Sequence, residues 1–96
     1  MSAYILFQRL NTKEAEELDL YEKNIGSAIG GHPIEILAYN TKHENLEGPA
    51  TETARLAKFP SMVAAKAWYY SDAYTAVRAH RTKGGDHMAV LFEGNE

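Results

Sequence analysis

Apolar and polar positions along this chain change period several times. Residues 3–10, AYILFQRL, form a short apolar run rich in strand formers and predict a strand. From Lys13 to about Ile29 the period becomes helical, with Ala15, Leu18, Tyr21, Ile25, Ala28 and Ile29 on one side. Glu16, Glu17, Asp19, Glu22 and Lys23 take the wet side, and Leu20 is off the stripe. Thr12 is the predicted N-cap, and Gly30-Gly31 the predicted stop. PIEILAYN, 33–40, predicts a second strand and ARLAKF, 54–59, a third. Between them lies a polar loop with Gly48-Pro49. Ser61 can cap a helix running through Tyr70. Ser71 or Asp72 can cap a further helical segment to about Thr82. Gly84-Gly85 breaks it, and HMAVLF, 87–92, is the fourth strand.

The order β-α-β-β-α-β predicts an α+β, ferredoxin-like domain over residues 1–96, with helices on one face of a four-stranded antiparallel sheet. Both faces of several strands carry bulky apolar residues. Ile5 and Phe7 oppose Tyr4 and Leu6; Ile34 and Ile36 oppose Leu37 and Tyr39; Met88, Val90 and Phe92 oppose Ala89 and Leu91. A sheet wet on one side would alternate apolar with polar. The second face is therefore expected to meet another sheet, and a symmetric homodimer supplies one.

Composition narrows the function classes. Hydrophobic residues make up 45% and charged residues 24%, with a net charge of −3 and scattered Lys and Arg. Binding to a nucleic-acid backbone needs clustered cations, so none is expected. The absence of cysteine excludes disulfides and thiolate chemistry. No stretch approaches the ~20 apolar residues of a membrane helix, and MSAYILFQRL lacks the pattern of a signal peptide. A cytoplasmic, soluble protein with no membrane partner is expected.

On a helix from Met62 to Tyr70, Met62, Ala65, Trp68 and Tyr69 share one face, while Val63, Lys66, Ala67 and Tyr70 lie opposite. Core packing explains Trp68 and Tyr69 and so does a pocket wall, since aromatics line small-molecule sites. His32, His43, His80 and His87 form no metal-ligand pair, and no metal is expected. His80 is the preferred acid–base candidate because it neighbours Arg81, and His32 the second. Glu47 is a base candidate only if buried. The glycine pairs read as turns, not as a phosphate loop.

AYI at 3–5, Tyr21, Gly30-Gly31, LEG at 46–48, FPS at 59–61, AWY at 67–69, S-x-x-Y at 71–74 and Arg81 follow one another in a familiar order. The chain resembles the domain-of-unknown-function family 1330, in the dimeric α/β-barrel superfamily. The resemblance covers nearly the whole chain and is most specific in the FPS…AWYxSxxY block. It implies ferredoxin-like subunits pairing sheet to sheet into a barrel. Lys58 departs from it, standing where the family often has an acidic residue. The superfamily includes cofactor-independent monooxygenases, isomerases, haem-handling enzymes and ligand-sensing domains.

The resulting expectation is a homodimer that binds a small aromatic or apolar molecule between helices and sheet. It would act as an oxygenase or isomerase without a cofactor. Tyr21, Trp68 and Tyr69 would shape the pocket; His80 and Arg81 would supply charge, with Arg81 fixing a carboxylate or phenolate. Arg78, one turn earlier, is a weaker candidate for that role. A non-catalytic binding or sensing module and a ligand-free structural dimer are the alternatives.

Overall fold

The structure is a computed structural model that describes residues 1–95. Four strands form one antiparallel sheet: β1 (Ala3–Arg9), β2 (Glu35–Tyr39), β3 (Thr53–Phe59) and β4 (His87–Glu93). Their order across the sheet is β2-β3-β1-β4. Three helices accompany them: α1 (Ala15–Ile29), α2 (Met62–Tyr69) and α3 (Asp72–Gly84). This is the ferredoxin-like α+β fold, with its second helical segment split in two.

The split follows from local capping. Ser61 Oγ accepts from the Ala64 N–H at 3.0 Å and opens α2. Ser71 Oγ accepts from the Tyr74 N–H at 3.2 Å and opens α3 one residue after Tyr70 closes α2. Gly31, at φ +83°, carries the chain out of α1 in the left-handed region that glycine tolerates.

The start of α1 departs from the sequence reading. Thr12 does not cap it, because its hydroxyl donates to Glu52 Oε1 at 2.6 Å. The Lys13 and Glu14 N–H groups instead donate to the Gly84 carbonyl, at 2.7 and 3.1 Å. The helix therefore begins after Glu14, tied to the end of α3.

Ala3, Ile5, Ala57 and Phe59 point from the sheet into a core closed by Tyr21 and Ala28 of α1, Ala65 and Trp68 of α2, and Tyr74 and Val77 of α3. The predicted split of the FPS…Tyr70 segment is seen: Ala65 and Trp68 are buried, whereas Tyr70 is 69% exposed. Trp68 stands at its centre, with ring centroids 4.0 Å from Tyr74 and 5.6 Å from Phe59.

The opposite sheet face is apolar and uncovered in the isolated chain. Leu6 lies between Leu56 and Val90 in register, and Tyr4 stacks on Phe92 at 5.7 Å. Leu37, Met88, Val90 and Phe92 are all exposed. One expected member is missing from this face. A bulge between Ile36 and Ala38 adds one residue to β2 and returns Tyr39 to the helix side, opposite Arg55.

Candidate functional site

The strand parity that places Ala3, Ile5 and Phe7 under the helices also places Arg9 there. Arg55 follows the parity of Ala57 and Phe59, and His87 that of Ala89 and Leu91. Register then brings these basic residues to one end of the sheet: Arg9 is opposite His87, and Arg55 is opposite Phe7. From above, α3 extends Arg81 over the same area, its guanidinium carbon 5.2 Å from the Phe7 ring centre.

A pocket lies between this patch and α1. Its cavity volume is about 80 Å³, well above the ~10–15 Å³ that one water requires. Phe7, Ile25, Ile29, Ile34, Trp68 and Ala57 give it an apolar interior. Ile36, Tyr39 and Glu22, which are exposed, mark its mouth.

The charged groups differ in how they are occupied. Arg9 Nε donates to Glu52 Oε1 at 2.8 Å. Arg55 donates to Glu22 and, through Nε, to Asn40 Oδ1 at 2.9 Å. Tyr39 also donates to Glu22; burial and that bond push its phenol up to about 12. Among the described residues, Arg81 has no carboxylate partner. Its one hydrogen bond goes to the Met88 carbonyl at a long 3.4 Å. Its guanidinium carbon lies over the Phe7 ring, a favourable place for a cation.

His87 was absent from the candidate residues derived from sequence. Its Nδ1–H donates to the Gly85 carbonyl at 3.0 Å, which leaves Nε2 as the unprotonated, unpartnered nitrogen. Burial, then the positive charge of Arg81, lowers its pKa to about 4. The imidazole is therefore neutral at pH 7 and presents an acceptor beside an unpaired cation. The signal was present in sequence: a histidine at the helix-facing parity of a predicted strand.

The other candidates separate. Tyr21 lines the pocket, and its hydroxyl meets that of Tyr74 at 2.9 Å. Burial raises both phenol pKa values. Trp68 is at once core and pocket wall; its Nε1–H donates to the Ala28 carbonyl at 3.1 Å. Tyr69 is outside this pocket. It packs on Trp68 and Tyr74, with Arg78 over its ring at 4.7 Å, and borders a second depression beside β4. His80 is also outside. One step from Arg81 is a 100° turn on a helix, and this aims His80 at α1, where Nδ1 meets Glu17 Oε2 at 2.6 Å. His32 lies outside the pocket as well, and Glu47 is exposed in the loop. Among the described residues, no cluster of His, Asp or Glu could hold a metal ion, and no helix is long and apolar enough to cross a membrane.

Sheet order, helix placement and the pocket beneath α1 define a ferredoxin-like domain with a cleft on its helical face. The chain belongs to the family described as domain of unknown function DUF1330, whose model matches residues 2–95. Among solved structures it is similar to the RPA0582 protein of unknown function from Rhodopseudomonas palustris. That match has a TM-score of 0.72 at 16% identity, covering 99% of this chain and 83% of that one. A dimeric ferredoxin-like protein of unknown function from Thermobifida fusca matches with a TM-score of 0.63 at 15% identity, covering 97% and 90%. SnoaB, a cofactor-independent oxygenase from Streptomyces nogalater, matches with a TM-score of 0.58 at 9% identity, covering 99% and 93%. No curated protein matches the chain.

Proposed function

We propose that this protein is a cytoplasmic homodimer that binds a small apolar or aromatic molecule in the pocket under α1 and removes a proton from it. That step is common to cofactor-independent oxygenases and to isomerases. The observation that carries the reading is the juxtaposition of Arg81, which has no carboxylate partner among the described residues, with neutral His87 in a pocket whose interior is apolar. His87 Nε2 accepts the proton of an acidic O–H or C–H, and Arg81 stabilises the anion left behind. Tyr21 and Trp68 hold the ligand's ring. The fold likeness to the Streptomyces oxygenase is compatible with this chemistry but does not assign it.

His87 is a weak base at rest, with a pKa of about 4. That favours a second reading, a binding or sensing module without turnover. Part of the depression comes from Arg81, however, so a ligand whose charge neutralises Arg81 restores basicity to His87.

Both sheets of a face-to-face dimer would bury the apolar side formed by Leu6, Leu56, Val90 and Phe92. The Thermobifida protein, similar in fold, is dimeric.

Solvent hydrogen exchange into phenols, quinols and enolisable ketones tests the enzyme reading. The wild-type protein should exchange at least one of these faster than buffer does, and His87→Gln should not. Exchange that survives His87→Gln unchanged removes His87 from the chemistry. Saturable binding without exchange leaves the sensing module.

A further inference from the structure

Seven charged or titratable groups line the pocket: Arg9 from β1, Tyr21 and Glu22 from α1, Tyr39 from β2, Arg55 from β3, Arg81 from α3 and His87 from β4. Arg9 is paired with Glu52, and His87 is held neutral. Glu22 is the pocket's own carboxylate. One of its oxygens takes Arg55 and the other the Tyr39 hydroxyl, and Arg55 lies over the Tyr39 ring at 4.2 Å. Arg55 is thereby engaged by hydrogen bonds to Glu22 and Asn40 and by the Tyr39 ring beneath its guanidinium carbon. Among the described residues, one pocket cation has no carboxylate partner, Arg81.

We infer that Glu22 is a specificity residue that matches the pocket to a ligand carrying a single negative charge on an apolar body. The ligand's acidic group meets Arg81 and its body lies over Phe7, Ile25 and Trp68. A second acidic group would turn toward Arg55, where the Glu22 carboxylate already sits, and two carboxylates at one guanidinium repel. This inference rests on the reading of the pocket as a small-molecule site. It adds the ligand's charge class and the residue that sets it.

Three single-ring probes isolate the charge: benzoate, its uncharged analogue benzamide, and the dianion isophthalate. Binding is followed by the fluorescence of Trp68, the chain's one tryptophan and a wall of the pocket. The wild-type protein should bind benzoate, with benzamide and isophthalate each roughly tenfold weaker. Glu22→Gln should raise isophthalate affinity roughly tenfold and leave benzoate little changed, while Glu22→Asp, which keeps the charge, should leave isophthalate weak. Equal binding of benzoate and isophthalate to the wild-type protein overturns the inference whatever the variants do, and leaves the pocket reading intact. So does an isophthalate affinity that Glu22→Gln does not move in a variant whose melting is normal. If none of the three probes binds, the pocket reading falls and the inference falls with it.

Discussion

Tyr21 and Tyr74 share a hydroxyl–hydroxyl hydrogen bond of 2.9 Å inside the core, their rings edge to face at 6.2 Å. The bond joins α1 to α3 at the floor of the pocket. Each hydroxyl is the partner of the other, and burial holds both phenols protonated. Tyr74→Phe should therefore strand a buried hydroxyl on Tyr21 and cost about 1–3 kcal/mol. Replacing both by Phe should cost less than the sum of the two single changes, because no polar atom is then stranded. Chemical denaturation of the three variants measures this; strict additivity would show that the bond contributes nothing.

Gly85 is needed for space, not for its backbone angles, which are extended and open to any residue. A Cβ there would overlap the Asn11 carbonyl oxygen, a backbone atom that cannot swing away. Gly85→Ala should destabilise by about 3 kcal/mol or more and loosen the joint between α3, β1 and β4. A melting temperature within a degree or two of wild type would contradict this packing.

His87 gives stability a distinct pH dependence. Its pKa is about 4 in the folded chain, against an ordinary 6.5. As pH falls from 6.5, the unfolded chain takes up the proton first, so stability declines until about pH 4 and is flat above 6.5. Glu52 and Asp86, each held below its ordinary value by hydrogen bonds from Thr12 and Asn11 and by neighbouring cations, lose their contributions only below 4.5 and 3.8. The window from 6.5 to 4.5 therefore isolates His87 among these groups. Melting curves of wild type should fall across it, and those of His87→Asn should be flatter; parallel curves would contradict a buried neutral imidazole.

Leu6 sits at the middle of the uncovered sheet face, with Leu56 on one side and Val90 on the other. If the proposed sheet-to-sheet dimer forms, Leu6→Lys should give a folded monomer in its place, since a lysine at the centre of a sheet interface is desolvated without a partner. Light scattering decides it. A wild-type mass matching one chain at micromolar concentration would sink the sheet-to-sheet dimer.

Much of this architecture was legible in the pattern of residues. Ser61 and Ser71 mark the starts of α2 and α3, and the helical period separates buried Trp68 from exposed Tyr70. Strand parity identifies two apolar sheet faces. What escaped depends on atoms far apart in sequence. Thr12 looked like a cap until β3's neighbour Glu52 took its hydroxyl. The bulge after Ile36 moved Tyr39 across the sheet, and nothing local to β2 announces the extra residue. His80 and Arg81 are adjacent in sequence yet 100° apart on the helix, so one reaches Glu17 and the other the pocket. His87 is the instructive omission, because strand parity alone groups it with Arg9 and Arg55 on the helix-facing side.

In the proposed site, Arg81 is the cation on which a small ligand is fixed. Titration of benzoate into wild-type and Arg81→Gln protein, read by Trp68 fluorescence, distinguishes this role from a structural one. Loss of a charged hydrogen-bond partner should weaken binding roughly 10- to 100-fold in the variant, with its melting temperature little changed. Equal affinity in the two proteins would show that Arg81 does not fix the ligand.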